Sequence, residues 1–182
     1  MDQTIIDNIN NTVSAKDDLY ILGDFSYKNA KSPIDYLKQI NCKKHLIIGN
    51  HDRFMLSLPN IHQYFESIDF YRILNESGHK VVMFHYPIAE WDGFFRGSYH
   101  LYGHVHNSHD HELYNKFLSE LNEYYKDRDK EKFNHFYAYN VGCMMPYMNY
   151  TPRTLKQIIL GSIVEEVKEK NKDLEKAKLF YE

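Results

Sequence analysis

The stretch Leu46-Ile47-Ile48-Gly49-Asn50-His51-Asp52 decides the fold and the chemistry that we expect of this chain. Its apolar half predicts a short buried strand, and its polar half predicts a tight turn at the end of that strand. Gly49 permits a backbone bend that a side chain would resist. The stretch therefore places an amide oxygen, an imidazole and a carboxylate together at one edge of a sheet.

Three other short apolar runs end in the same kind of residue. Gly23-Asp24 follows the run 19–22, His85 follows the run 81–84, and Gly103-His104-Val105-His106 follows the run 99–102. Four strand ends that carry oxygen or nitrogen ligands predict one metal site built at one edge of a sheet.

Short strands alternate with helices and one hairpin, which predicts a mixed α/β fold in a single domain of residues 1–182. Helices are predicted at 3–13, from Ser32-Pro33 onwards, at 113–125 and from 155 onwards. Strands are predicted at 19–22, 46–48, 70–74, 80–84, 99–102 and 136–141. The Lys/Glu mixture at about 165–182 is interpreted as a charged surface helix or tail. The pattern alone leaves the number of sheets open.

Composition limits the function classes. The net charge is −3, with 22 Lys and Arg against 25 Asp and Glu, which argues against a dedicated nucleic-acid surface. The chain has no apolar run of membrane-spanning length and no signal-peptide core at its amino terminus. Cys42 and Cys143 have no linking pattern, so we expect two reduced thiols in a cytoplasmic protein, with a single disulfide as the unsupported alternative.

The ligand types indicate catalysis and not structural support. Carboxylate, imidazole and amide ligands without thiolates favour one or two divalent ions, Mn or Fe in preference to Zn. Structural zinc sites are usually rich in cysteine. Two metals about 3.5–4 Å apart can hold a hydroxide and the oxygens of a phosphate ester.

The order of the motifs is more specific than any one of them. Gly-Asp, Gly-Asn-His-Asp, a lone strand-end His and Gly-His-x-His, in this order, resemble the calcineurin-like metallophosphoesterase family. The resemblance covers about residues 19–106, with weaker support from Asn140-Val141-Gly142. It implies a four-layer α/β/β/α sandwich of two mixed sheets flanked by helices. It also implies a phosphoesterase that hydrolyses a phosphomonoester or phosphodiester through metal-bound hydroxide.

The resemblance also implies roles for individual residues. The ligands would be Asp24, Asn50, His85 and His104 for one ion, and Asp24 and His106 for the other, with Asp24 bridging them. His51 would protonate the leaving oxygen or stabilise the phosphate, and Asp52 would orient His51. Asn50 and His51 would contact the substrate. Arg53 is not part of the resemblance: it follows the central motif and is a candidate for contact with a phosphate, although a surface salt bridge is an equally good interpretation of it.

The sequence departs from the family at its start. The family begins with a strand that ends in Asp-x-His, and no such motif precedes Gly23-Asp24. Three explanations remain open: a natural protein that begins further upstream, a short form that holds a single metal, or a neighbouring chain that supplies the ligands. We expect nearer one tight ion than two. We also expect the strand 19–22 to lack a partner on one side, which would favour homo-oligomers formed through that sheet edge.

Simpler interpretations compete with these roles. A lone strand-end histidine such as His85 is usually structural, and Asn50 could serve only as a turn residue. His109 and His111 extend the cluster, but a solvated loop is the simpler interpretation of them. For the whole chain, the alternative function is a catalytically degraded scaffold of the same fold that binds a protein partner.

Overall fold

Two β-sheets organise the chain in the computed structural model, which describes residues 2–27, 31–128 and 135–179. The strands are β1 Asp18–Ile21, β2 Lys43–Ile47, β3 Ser67–Asp69, β4 Tyr71–Glu76, β5 His79–Phe84, β6 Tyr99–Tyr102 and β7 Tyr137–Asn140. The helices are α1 Asp2–Thr12, α2 Pro33–Leu37, α3 Arg53–Leu56, α4 His109–Arg128 and α5 Leu155–Leu179. Two 3₁₀ turns span Ile61–Tyr64 and Phe94–Arg96.

The strand pairings place the carboxyl ends of neighbouring strands side by side. The first sheet has the order β1-β2-β3, and both of its pairs are parallel. The second sheet has the order β4-β5-β6-β7, in which β4 is antiparallel to β5 and the other pairs are parallel. The predicted α/β fold with two sheets flanked by helices is confirmed.

The two sheets face each other across a common apolar core. Alternation along the strands decides which side chains enter it, because successive residues point to opposite faces. Val81 and Met83 of β5 point into the space between the sheets, whereas Val82 points to the outer layer. The buried members of the inner core are Ile47, Val81, Met83, Leu101, Met145, Met148, Leu155 and Ile158.

Helices cover the outer face of each sheet and complete the four layers. Leu118 of α4 packs with Trp91, Phe94 and Phe136 over the second sheet. The outer face of the first sheet carries two clusters that involve α1, α2 and α3. Their buried members are Leu37, Leu46, Met55 and Ile61 in one, and Ile9, Ile40 and Cys42 in the other.

Three local features differ from the predictions or refine them. β3 was not predicted, because Ser67–Asp69 contains a single apolar residue and shows no periodicity. The prediction of a solvated loop for His109 and His111 is wrong, since both lie in the first turn of α4. The predicted hairpin is present, and Ser77 and Gly78 form its turn with φ of 52° and 84°.

The strand β1 lies at a sheet edge. Among the described residues β1 pairs with β2 alone, as expected for the run 19–22. An unpaired strand edge offers backbone groups to another chain, so self-association through this edge stays a prediction.

The long carboxyl-terminal helix continues into the charged segment. The predicted helix or tail at about 165–182 belongs to α5 as far as Leu179, and residues 180–182 lie outside the described residues. Among the helices that the structure describes, none combines the length and the apolar character needed to cross a bilayer.

His100 on β6 makes stability depend on pH. Its ring is fully buried between Trp91 and Tyr102, and burial lowers its pKa from 6.5 to about 4, although the carbonyls of Val82 and Tyr86 oppose the shift. The folded state therefore holds His100 neutral, whereas the unfolded chain binds a proton below pH 6.5. Above pH 6.5 the neutral ring of His100 does not oppose folding. As the pH falls from 6.5 towards 4, the folded state loses stability, because the unfolded chain binds a proton that the folded chain excludes.

We expect the free energy of unfolding to drop by about 3 kcal/mol over this range because of His100. In urea unfolding at a series of pH values, the free energy of unfolding should change less with pH for His100→Gln than for the wild type. His109→Gln, which replaces an exposed histidine, serves as the control and should keep the wild-type dependence of the free energy of unfolding on pH. An unchanged slope in His100→Gln would show that this ring does not control the pH dependence.

Candidate metal centre

Four strand ends bring four of the predicted ligands together. Asp24 follows β1, Asn50 follows β2, His85 follows β5 and His104 follows β6. Ligand atoms of Asp24, His85 and His104 all lie within 4.8 Å of one another. Asn50 Oδ1 lies 3.0 Å from His85 Nε2 and 2.9 Å from His104 Nδ1. The two sheets thus meet at a compact cluster of one carboxylate, one amide oxygen and two imidazoles.

The backbone directly after β1 orients the buried imidazole of His85. Its Nδ1 donates a hydrogen bond to the carbonyl oxygen of Leu22 at 2.7 Å, and the ring is 1% exposed. When Nδ1 is the donor of a neutral imidazole, the free lone pair is on Nε2, and this atom faces the cluster. Such an outer hydrogen bond is the usual device that fixes a metal-binding histidine.

The contacts inside the cluster are those expected of ligands around a cation. His85 Nε2 lies 3.0 Å from Asn50 Oδ1 and 3.3 Å from Asp24 Oδ2. Lone pairs at this distance repel each other unless a proton or a cation lies between them. Two ligand atoms that each lie about 2.1 Å from one ion, at a right angle, are about 3.0 Å apart. The residues present therefore fit a divalent ion.

Two glycines leave room for this packing. A Cβ at Gly49 would lie 2.4 Å from Asp24 Oδ1 and 2.6 Å from the Asp24 nitrogen. A Cβ at Gly23, where φ is +84°, would lie 2.4 Å from His85 Nδ1. The turns after β1 and β2 consequently approach each other as closely as only glycine allows.

Gly49→Ala should weaken metal binding by roughly 10- to 100-fold, because the new methyl displaces the Asp24 carboxylate. It should also lower the free energy of unfolding by about 1–3 kcal/mol, because the clash is with backbone. Mn²⁺ titration and urea unfolding measure the two effects. Gly78→Ala is the control: no atom lies within 4 Å of its Cβ, so Mn²⁺ affinity should be unchanged even though its φ of +84°, unlike the backbone at Gly49, is unfavourable for alanine. Wild-type Mn²⁺ affinity in Gly49→Ala would contradict the close approach of the two turns.

The backbone is left-handed at three positions of the Gly-Asp and Gly-His-x-His motifs. Asp24, His104 and His106 have φ of 53°, 65° and 49°. Non-glycine residues seldom adopt this conformation, and such residues concentrate at functional sites. These conformations favour a binding role for the cluster over a purely structural one.

The imidazole of His104 is held in the neutral form that binds metals. Burial lowers its pKa, the nearby His85, His106 and His51 rings lower it further, and Asp24 opposes them. A neutral imidazole has a lone pair for a cation without first losing a proton.

Asp52 holds the two turns together. It is fully buried, and its carboxylate accepts backbone N–H groups from Gly49 at 2.8 Å, Asp24 at 2.9 Å and Phe25 at 3.0 Å. The family resemblance implies that Asp52 orients His51. Its hydrogen bonds in the described part of the chain run to the backbone instead, so it acts on the ligand turns.

His51 is fixed at the solvent side of the cluster. Its backbone N–H donates to Asp24 Oδ1 at 2.9 Å, and its ring packs edge-on against Tyr27 with centroids 4.6 Å apart. The residue is exposed, as a group that meets a substrate must be. Arg53, two residues further along at the start of α3, is exposed as well.

His106 is the predicted ligand of the second ion. It is exposed and stands outside the group formed by Asp24, His85 and His104 in the described chain. Its carbonyl oxygen accepts a hydrogen bond from Nδ2 of the buried Asn140 at 2.7 Å. Asn140 is a positioning residue that the motif Asn140-Val141-Gly142 signalled only weakly.

Comparisons with known proteins support the fold but do not name a function. No protein-family model matches the chain. It is 28% identical over 161 residues to the uncharacterized protein MJ1445 of Methanocaldococcus jannaschii, a match that spans 87% of this chain and 73% of the relative. A crystal structure of AQ665, a protein of unknown function from Aquifex aeolicus, matches with a TM-score of 0.60 and 20% identity over 86% of this chain and 82% of the other. The structural likeness shows a shared fold.

Proposed function

We propose that the chain is a metal-dependent phosphoesterase that hydrolyses a phosphomonoester or phosphodiester. The observation that carries this proposal is the convergence of four strand ends on one cluster, with His51 attached to Asp24 beside it. The thiolate-free ligand set favours Mn or Fe over Zn. The free thiols of Cys42 and Cys143 agree with a cytoplasmic location, which we include in the proposal.

The cluster residues would hold the ion through one carboxylate, one amide oxygen and two imidazoles. When bound, a divalent ion neutralises phosphate charge and makes water a stronger nucleophile. Asp24 contributes the negative charge of the set, and His85, with its Nδ1 bonded to Leu22, presents a fixed Nε2. Asp52 and the two glycines keep these ligands in place before any substrate arrives.

Hydrolysis replaces the bond between phosphorus and the leaving oxygen by a bond between phosphorus and a water oxygen. The leaving oxygen must gain a proton, and His51 is the group in position to give it. Its backbone N–H donates to Oδ1 of Asp24 and the residue is exposed, so the ring is accessible to a substrate. A positioned histidine acid contributes roughly 10²- to 10⁴-fold to the rate. The exposed Arg53 lies two residues after His51 in the sequence and would offset phosphate charge.

The test is hydrolysis of 4-nitrophenyl phosphate and bis(4-nitrophenyl) phosphate by the 182-residue chain with and without Mn²⁺. We expect release of nitrophenol that depends on Mn²⁺ and stops on chelation. A protein that binds Mn²⁺ tightly and hydrolyses neither ester would instead support the scaffold alternative.

A further inference from the structure

A solvent-facing tyrosine lies directly beside the proposed acid. Tyr27 is 57% exposed, and its ring contacts the His51 ring at a centroid distance of 4.6 Å and an angle of 75°. The segment that leads to Tyr27 is anchored at the site, because the Phe25 nitrogen donates to Asp52 Oδ1 at 3.0 Å. The ring therefore belongs to the rim of the metal centre and leaves much of its surface open.

The position of His51 defines where a leaving group must lie. In the proposed reaction the leaving oxygen takes a proton from His51, so the group attached to that oxygen lies against whatever borders the ring. Tyr27 borders it. A flat aromatic group can stack on the tyrosine face, whereas a small alkyl group offers far less contact area.

The geometry points to Tyr27 as the leaving-group subsite, selective for phosphate esters whose leaving group presents a flat aromatic ring next to the ester oxygen. This inference rests on the proposed function, because it uses the role given to His51. Stacking of one aromatic group on another changes affinity by roughly 5- to 100-fold. The preference for aromatic over alkyl esters should have that size.

The first measurement is the ratio of kcat/KM for phenyl phosphate to that for hexafluoroisopropyl phosphate, two esters whose leaving alcohols have similar acidity. Tyr27→Ala should lower this ratio by roughly 5- to 100-fold, and Tyr27→Phe should keep it. Any disturbance of His51 by the substitution changes both rates alike and cancels in the ratio. Tyr124→Ala is the matched control, since Tyr124 is a 50% exposed tyrosine on α4, and it should leave the ratio unchanged.

The second measurement needs no turnover. Calorimetry gives the affinity of the Mn²⁺-loaded protein for benzylphosphonate, in which a methylene replaces the ester oxygen, and for the alkyl analogue ethylphosphonate. We expect the wild type to prefer the benzyl compound and Tyr27→Ala to lose that preference. The subsite would be overturned if Tyr27→Ala preferred the benzyl compound as strongly as the wild type does. It would also be overturned if the wild type had no preference or bound neither compound.

The two measurements separate this inference from the proposed function. Tyr27-dependent selectivity in binding without any hydrolysis would retain the subsite and remove the phosphoesterase. Hydrolysis with a selectivity that ignores Tyr27 would retain the phosphoesterase and remove the subsite.

Discussion

His51→Ala should lower kcat for the Mn²⁺-dependent hydrolysis of a phosphoester by roughly 10²- to 10⁴-fold, while the protein keeps its metal. The imidazole is exposed and contributes no ligand to the cluster of Asp24, His85 and His104. Its link to the site is a backbone N–H donated to Asp24 Oδ1, and alanine preserves that bond. The substitution therefore removes the proposed proton donor and leaves the cation site intact.

Steady-state rates and metal content should be measured on the same preparations of His51→Ala. His62→Ala is the control, because His62 is an exposed histidine in the 3₁₀ turn Ile61–Tyr64 and should keep full activity. An ester with a very acidic leaving alcohol needs little proton donation, so the loss should be smaller for such a substrate. Wild-type activity in His51→Ala would exclude the role given to this residue.

Asp52→Ala should lower the free energy of unfolding by about 3–5 kcal/mol, because three buried or partly buried backbone donors lose their acceptor at once. The donors are the N–H groups of Gly49, Asp24 and Phe25, and the methyl group of alanine has no acceptor to replace the carboxylate. The turns after β1 and β2 should then separate, so Mn²⁺ affinity should fall together with stability.

Urea unfolding with a chelator present measures the loss without any contribution from bound metal. Asp35→Ala, which removes an exposed carboxylate on α2, should change the free energy of unfolding by only about 0.5 kcal/mol. Asp52→Asn keeps the volume but turns an NH₂ group towards a backbone donor, so we expect most of the loss to remain. An effect of Asp52→Ala no larger than that of Asp35→Ala would mean that the carboxylate does not hold the two turns.

The sequence could predict that four polar side chains at strand ends lie close together. Asp24, Asn50, His85 and His104 each come directly after a strand-like run, and the carboxyl ends of paired parallel strands lie at one edge of a sheet. The α/β class and the flanking helices follow from the same alternation of short apolar runs and helical periodicity. These features are local in sequence, so local patterns report them.

Contacts between distant backbone and side-chain groups could not be predicted. The carbonyl of Leu22 that orients His85 has no side-chain signature, and Asp52 is bonded to groups that lie 27 and 28 residues away. The Gly-His-x-His motif gives the spacing of its two histidines but not their distances to the other ligands, and His106 stands outside the group of Asp24, His85 and His104 among the described residues. The start of α4 was missed although Asp110 and Glu112 are the acidic residues typical of a first helical turn.

Metal content after equilibrium dialysis against Mn²⁺ tests the central claim that four strand ends hold one divalent cation. The wild-type chain should retain close to one tight equivalent. His104→Ala, which removes a partly exposed ligand, should retain much less, and His109→Ala should match the wild type. No tight ion in the wild type, or a full equivalent in His104→Ala, would contradict the account.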